Sequence, residues 1–264
     1  MRQAVWGMAI LLWSGIALGA ASVNFNPLPS AMIFPSPVGI LFPGFNVAAG
    51  VNPAALPLPG KANSVQLAYT PSLRRGDDSS VFAGAAIAKK GLGVGLGYQR
   101  TQTSSTKIQG IFGGVGFAMD SMSFGLGLRD SQVDGGFSPN VDIGFIVGNQ
   151  KNGKGVSFGG VFYNLDHYPQ MALGIGYGNV KRYNLEANIL MPPFDYLGTG
   201  YYIFTLSATL RAEFLSLYFR SSYPTRTDNF THTLGIAAQV MQNLNVFAQF
   251  TPSRTLTFGA SAIW

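Results

Sequence analysis

The 264-residue chain carries 34 glycines and only 11% charged residues, where soluble globular chains average about 25% charged residues and about 7% glycine. It has no cysteine, which excludes disulfides, thiolate metal sites and a lipid anchor through cysteine. The formal charge of +6 is scattered mostly over turns rather than clustered, and so argues for no nucleic-acid partner.

Residues 1–22, MRQAVWGMAILLWSGIALGAAS, combine Arg2, an apolar run from Ala4 to Leu18 and the small residues Ala20, Ala21 and Ser22. That is the layout of a secretory signal peptide. The alternative, an uncleaved N-terminal anchor, lacks a charged stop-transfer flank. No later apolar run reaches the roughly 18 residues of a membrane helix, yet mean hydropathy is positive. An exported chain of this kind has one other way to sit in a membrane, as a closed β-barrel.

Residues 23–63 read VNFNPLPSAMIFPSPVGILFPGFNVAAGVNPAALPLPGKAN. The prolines rule out a long helix or a central strand. Met32, Ile33, Phe34, Ile40, Leu41, Phe42 and Phe45 make the segment too apolar for a solvated linker. Irregular apolar backbone in a membrane protein belongs inside protein or against a cavity, so the segment is expected as a plug inside the barrel. A periplasmic arm docked on a partner is the alternative.

From residue 64 onward the period-two pattern predicts fourteen strands, at 64–73, 80–88, 92–99, 107–119, 122–129, 140–149, 155–163, 170–178, 183–191, 202–211, 214–222, 229–241, 243–250 and 255–264. The connections alternate in length. RRGDDS and PPFDYLGTGY follow odd-numbered strands, whereas KKG, DS and AE follow even-numbered ones. Outer-membrane barrels have this asymmetry of long outer loops and short periplasmic turns, and a soluble β-sandwich has no reason for it. Asp77, Asp78, Asp130, Asp134, Asp166, Asp195 and Asp228 fall on the long-loop side, and Lys89, Lys90, Lys151, Lys154, Lys181 and Arg182 on the short-turn side. Tyr168, Phe194, Tyr196, Tyr201, Tyr202 and Tyr223 are placed for an outer aromatic girdle. The expected fold is therefore all-β: a 14-stranded antiparallel transmembrane barrel (64–264) behind a plug segment (23–63) and a signal peptide (1–22).

Strand parity divides the lumen into two walls. Strands three to eight turn Gly93, Gly95, Gly97, Gly114, Gly116, Gly125, Gly127, Gly144, Gly148, Gly159, Gly174 and Gly176 inward. Strands nine to fourteen turn a polar set inward, including Asn184, Asn188, Thr205, Ser207, Thr233 and Gln249. The bare wall either eases curvature or receives another backbone. Arg129, Asp142, Glu186, Arg211, Tyr218 and Arg220 also point inward. They either hold plug and wall together or meet a ligand. An ion pair between Glu186 and Arg211 is expected from their neighbouring strands.

The stretch VNPAALPLPGKANSVQLAYTP resembles the Asn-Pro-Ala segment before the first strand of the FadL-type long-chain fatty-acid transporter barrels, with Asn52, Pro53 and Ala54 matching the motif. A signal peptide, an N-terminal hatch and fourteen strands ending on an aromatic, here Trp264, are further similarities. A final strand ending this way also resembles the insertion signal of outer-membrane barrels. The Gly-rich stretch usual before the motif is not clear here, and the outer loops are short. The resemblance implies passive, hatch-gated uptake of hydrophobic small molecules such as long-chain fatty acids, in the bacterial outer membrane among its lipids, with no cofactor. A related group with the same motif implies the alternative, a structural or secretion-associated barrel with protein partners. No catalytic constellation stands out. His167 and His232 lack a nucleophile at any recognisable spacing, and no ligand spacing suggests a metal. His232 reads as an interface residue.

Overall fold

The computed structural model describes residues 41–43, 47–58, 63–71, 79–102, 107–133, 139–148, 154–165, 170–179, 182–191, 202–225, 230–251 and 255–264. The expected signal peptide, residues 23–40, His167, Tyr168, Phe194, Tyr196, Tyr201, Lys151, Lys181 and all the loop aspartates except Asp130 lie outside these residues.

Fourteen strands alternate apolar and small or polar residues. They are β1 (Ser64–Thr70), β2 (Ser79–Lys89), β3 (Leu92–Gln102), β4 (Lys107–Met119), β5 (Met122–Val133), β6 (Pro139–Gly148), β7 (Lys154–Tyr163), β8 (Gln170–Asn179), β9 (Tyr183–Met191), β10 (Ile203–Ala212), β11 (Leu215–Pro224), β12 (Thr231–Met241), β13 (Leu244–Thr251) and β14 (Thr255–Ile263). Each pairs antiparallel with its sequence neighbours, and β1 pairs with β14 to close the barrel. At that seam Ser64 lies opposite Ile263 and Tyr69 opposite Phe258. The Trp264 N–H donates to the Asn63 carbonyl at 3.0 Å, so the last strand is hydrogen-bonded to its end.

The largest departures from the sequence reading are at the long-loop end. β3 runs on to Gln102 and β5 to Val133, although the apolar alternation stops near residues 99 and 129. Arg100, Thr101 and Gln102 still pair with Gln109, Ile108 and Lys107. The apolar pattern marks where hydrocarbon ends, not where backbone pairing ends, so the wall stands taller than the pattern suggests. At the other end Lys90 and Gly91 both have positive φ, in a two-residue turn between the paired Lys89 and Leu92. Positive φ at both positions matches the strand twist of a tight hairpin, and glycine takes the second without steric cost.

The outer face is apolar all round. Leu92, Leu96, Ile111, Leu128, Ile175 and Leu210 are each more than 50% exposed. A continuous band of this kind on a closed barrel faces hydrocarbon. Aromatic side chains mark its borders. Tyr223 and Phe230 pack at 4.9 Å at the long-loop end, while Phe214 and Trp264 are exposed at the short-turn end. His232 faces outward beside Phe230, ring to ring at 6.0 Å, as an interface residue would.

The buried apolar cluster lies inside the barrel rather than between layers. Leu41, Val47, Ala48, Ala49, Val51, Ala54, Ala55 and Leu56 meet Phe82, Phe112, Ile146 and Val161 there. A form lacking residues 255–264 would expose the ladder edges of β1 and β13. Circular dichroism in detergent micelles should show loss of the cooperative β-sheet melting transition of the intact chain; a truncated form that melts like the intact one would show the seam to be dispensable.

Candidate functional site: a hatch seated on a glycine wall

The segment before β1 sits in the lumen in two described pieces. Leu41 packs on Gly159 and Gly176, and Phe42 on Gly176. Further along, Ala48–Val51 forms one helical turn, α1, and Pro53–Ala55 forms a 3-10 turn. These two turns contact β3, β4, β5 and β6.

The Asn-Pro-Ala motif has a local physical logic. Asn52 Oδ1 accepts the Ala54 N–H at 3.1 Å and so caps the 3-10 turn. Pro53 at its first position has no N–H to leave unpaired, and its fixed φ suits the turn. The Asn52 N–H donates back to the Ala48 carbonyl at 2.9 Å, which locks the turn to α1. Asn52 and Ala54 are fully buried.

The wall accepts this backbone because it has no side chains there. A Cβ at Gly125 would overlap the Pro53 carbonyl and the Ala54 nitrogen, one at Gly116 the Pro53 oxygen, and one at Gly144 Asn52 Oδ1. Gly93, Gly95, Gly114, Gly127, Gly159 and Gly176 also lie against the segment. Close approach, rather than curvature alone, is therefore what these positions require. Gly97 faces the Phe112 ring instead, and Gly148 faces β7.

Two polar contacts fasten the pieces. The Glu186 carboxylate on β9 accepts the backbone N–H groups of Leu41 at 2.9 Å and of Phe42 at 3.2 Å. The Tyr163 hydroxyl on β7 donates to the Val51 carbonyl at 2.7 Å. Parity points Tyr163 inward, next in line after Gly159 and Val161, but nothing in the sequence announces the carbonyl it meets.

The other charged residues fall into separate groups. Arg129 Nη2 donates to Asp142 Oδ1 at 3.0 Å and to Asn164 Oδ1 at 3.0 Å, and the Asn164 N–H donates to Asp142 Oδ1 at 3.0 Å. Both charges are buried. The guanidinium also lies 5.5 Å from the centre of the Tyr163 ring, so this pair backs the residue that holds Val51. Arg211 lies nearer the short-turn end. There Asn184, oriented so that both ends of its amide are satisfied, donates to the Tyr183 carbonyl and accepts from Arg211 Nη1 at 3.0 Å. Glu186 stands opposite Ser207, four residues along β10 from Arg211. The expected Glu186–Arg211 ion pair is thus replaced by bonds from Glu186 to the hatch backbone, because the register separates the two side chains by more than one turn of the pleat. The Tyr218 ring covers Gly235. Arg220 Nε donates to Ser222 Oγ at 3.2 Å.

These features define a membrane-spanning 14-stranded β-barrel with an internal hatch. No family model and no curated protein matches the chain. Among solved structures, the Ralstonia pickettii toluene transporter TbuX matches with a TM-score of 0.62 at 10% identity, covering 91% of this chain and 98% of that one. A triple mutant of the Rhodopseudomonas blastica porin matches with a TM-score of 0.46 at 9% identity, covering 77% of this chain and 99% of that one. At such identity the TbuX likeness is one of fold, and it is the fold that the FadL-type resemblance implied.

Gly125→Ala should unseat the hatch, at a cost of about 1–3 kcal/mol for an overlap that backbone cannot relieve. Gly113→Ala should not, because its nearest neighbour would be 3.7 Å away. Limited proteolysis of the folded barrel reads the difference as cleavage within residues 41–58, and equal protection of both variants would remove the close-approach argument. Arg129→Met should cost about 3–5 kcal/mol, because it takes the counter-charge from the buried Asp142 carboxylate. The loss should show in urea melting of the refolded barrel, and a change below about 1 kcal/mol, as at exposed ion pairs, would mean that Asp142 has other support.

Proposed function

We propose that the chain is a FadL-type outer-membrane channel for passive, hatch-gated uptake of hydrophobic small molecules such as long-chain fatty acids. Residues 1–22 are its removed leader, residues 23–63 its hatch and residues 64–264 its barrel. The observation that carries this reading is the seat itself: apolar residues 47–56 lie against a wall stripped of side chains. An apolar inner surface suits a hydrophobic solute, and a polar lining opposite suits the head of an amphiphile. The TbuX structure supports the same direction, since its name describes a transporter of a hydrophobic compound. Transfer down a gradient needs no energy source, cofactor or catalytic residue from the chain, and lipid of the outer membrane covers the apolar band. Asn52, Pro53 and Ala54 form the hatch turn. Glu186 holds the hatch backbone, while Arg129 and Asp142 brace the wall behind it. Arg211, Tyr218 and Arg220 line the open side, where a polar head would pass.

Uptake of a labelled long-chain fatty acid into liposomes tests this reading. The intact chain should give saturable uptake, and a folded form lacking residues 23–50 should lose saturation and leak. No uptake by either folded form would overturn the transport reading. A protein that co-purifies at fixed stoichiometry would then favour the secretion-associated alternative.

A further inference from the structure

The short-turn rim of the barrel carries charge that the lumen does not use. Across β7, β8 and β9 the register sets the outward side chains in three rows. Lys154, Asn179 and Tyr183 form the row at the rim, Val156, Tyr177 and Leu185 the next, and Phe158, Ile175 and Ala187 the third. Arg182 closes the turn before β9. Its N–H donates to the Asn179 carbonyl at 2.8 Å and its carbonyl accepts the Arg211 N–H at 2.6 Å, so backbone on both sides fixes where its side chain starts. Lys154 and Arg182 are both exposed. Neither forms an ion pair among the described residues, and Glu213, in the turn after β10, pairs with neither. The Tyr177 and Tyr183 rings pack at 6.0 Å beside these cations. The Tyr183 hydroxyl meets that of Tyr177, and Arg182 lies within electrostatic reach of it.

The rows run in the order of an amphiphile: charge at the water border, phenols at the interface, and exposed Val156, Phe158, Ile175 and Leu185 in the hydrocarbon. Ala187 stands in one outward row between Ile175 on β8 and Leu206 on β10. A small residue between two large exposed ones leaves a notch for a chain. We propose that Lys154 and Arg182, with Tyr177 and Tyr183, bind the phosphate of an anionic phospholipid in the short-turn leaflet, with its acyl chain lying over Ile175, Ala187 and Leu206. Lys154 and Tyr183, the neighbour of Arg182, are two strand spacings apart, about 10 Å between backbones, a gap that two long cationic side chains close onto one phosphate. Charge decides which occupant fits. Two cations attract a lipid of net negative charge, whereas the ammonium of a zwitterionic lipid cancels its phosphate. Free phosphate would meet the cations but leave the apolar rows unused, and a symmetric contact with a second copy would set like charges face to face. The site stands whether or not the barrel transports a solute.

Native mass spectrometry of the folded, full-length barrel in micelles tests this, by titration with phosphatidylglycerol or with phosphatidylcholine of the same acyl chains. Each cation near a membrane surface is worth about fivefold, so the intact chain should hold a phosphatidylglycerol about 25-fold more tightly than a phosphatidylcholine. Lys154→Gln combined with Arg182→Gln should remove that preference and leave phosphatidylcholine binding unchanged. Lys89→Gln combined with Lys90→Gln takes the same charge from the turn between β2 and β3 and should leave the preference in place. All four side chains are exposed, so the barrel should fold without them. Equal weakening by the two pairs would mean diffuse attraction to a basic rim and would overturn the site, as would equal binding of the two lipids by the intact chain. Displacement of the phospholipid by inorganic phosphate would assign the cations to a free anion, and a dimer that excludes lipid would assign the face to a second copy; either result overturns the proposal.

Discussion

Hydrocarbon offers no hydrogen bonds, and the rest of this structure follows from that. Every N–H and C=O of the wall has to find a partner within the wall, which forces the sheet to close and forces β1 onto β14. Closure fixes the alternation of faces, because each strand then has one side toward lipid and one toward the lumen. The apolar residues that a soluble protein would bury are spent on the outside. A separate source of apolar surface is therefore needed within, and the hatch provides it.

The lumen solves a packing problem unlike that of a soluble core. Its two partners are a closed cylinder and a chain segment whose described residues form only two short helical turns. Interiors tolerate few voids, so the irregular surface of residues 47–58 has to be matched by the cylinder. The match is made by subtraction. Where the hatch backbone comes closest the wall has glycine, and where it stands off the gap is filled from the wall, as by Phe112 between Gly97 and the hatch at Gly50, and by Tyr218 over Gly235. Polar contacts add orientation to this fit. Glu186 and Tyr163 each bind a backbone group of the hatch, which fixes its height in the cylinder without depending on its side chains.

Much of this was legible in the sequence, for identifiable reasons. All fourteen strands stand near their expected places, since the period-two pattern is imposed by lipid along the whole height of the wall. The bare wall was legible too, because twelve inward glycines on consecutive strands have no local explanation. The ends of β3 and β5 were not, because above the hydrocarbon the outer face no longer has to be apolar. The partner of Glu186 was missed for a different reason. Sequence places neighbours along and across strands, so Arg211 looked close, whereas the carboxylate accepts from backbone N–H groups of Leu41 and Phe42, 145 and 144 residues away. The role of Tyr163 was invisible likewise, since a carbonyl leaves no mark in a sequence. Asn52 and Pro53 stood out by family resemblance, and the hydrogen bond from Ala54 to Asn52 supplies the reason that those residue types are needed.

The seam has a consequence for how the molecule is assembled. β1 and β14 are the strands furthest apart along the chain, so their pairing closes the longest loop and carries the largest entropic delay. The hatch ends a few residues before β1 and is enclosed by the cylinder. A finished cylinder admits it only through its mouths, whereas a curled, still open sheet receives it from the side. The glycine wall of β3 to β6 is then more than a seat in the completed protein. Because its strands are consecutive in the chain, the same surface is available as a cradle before the ring is shut.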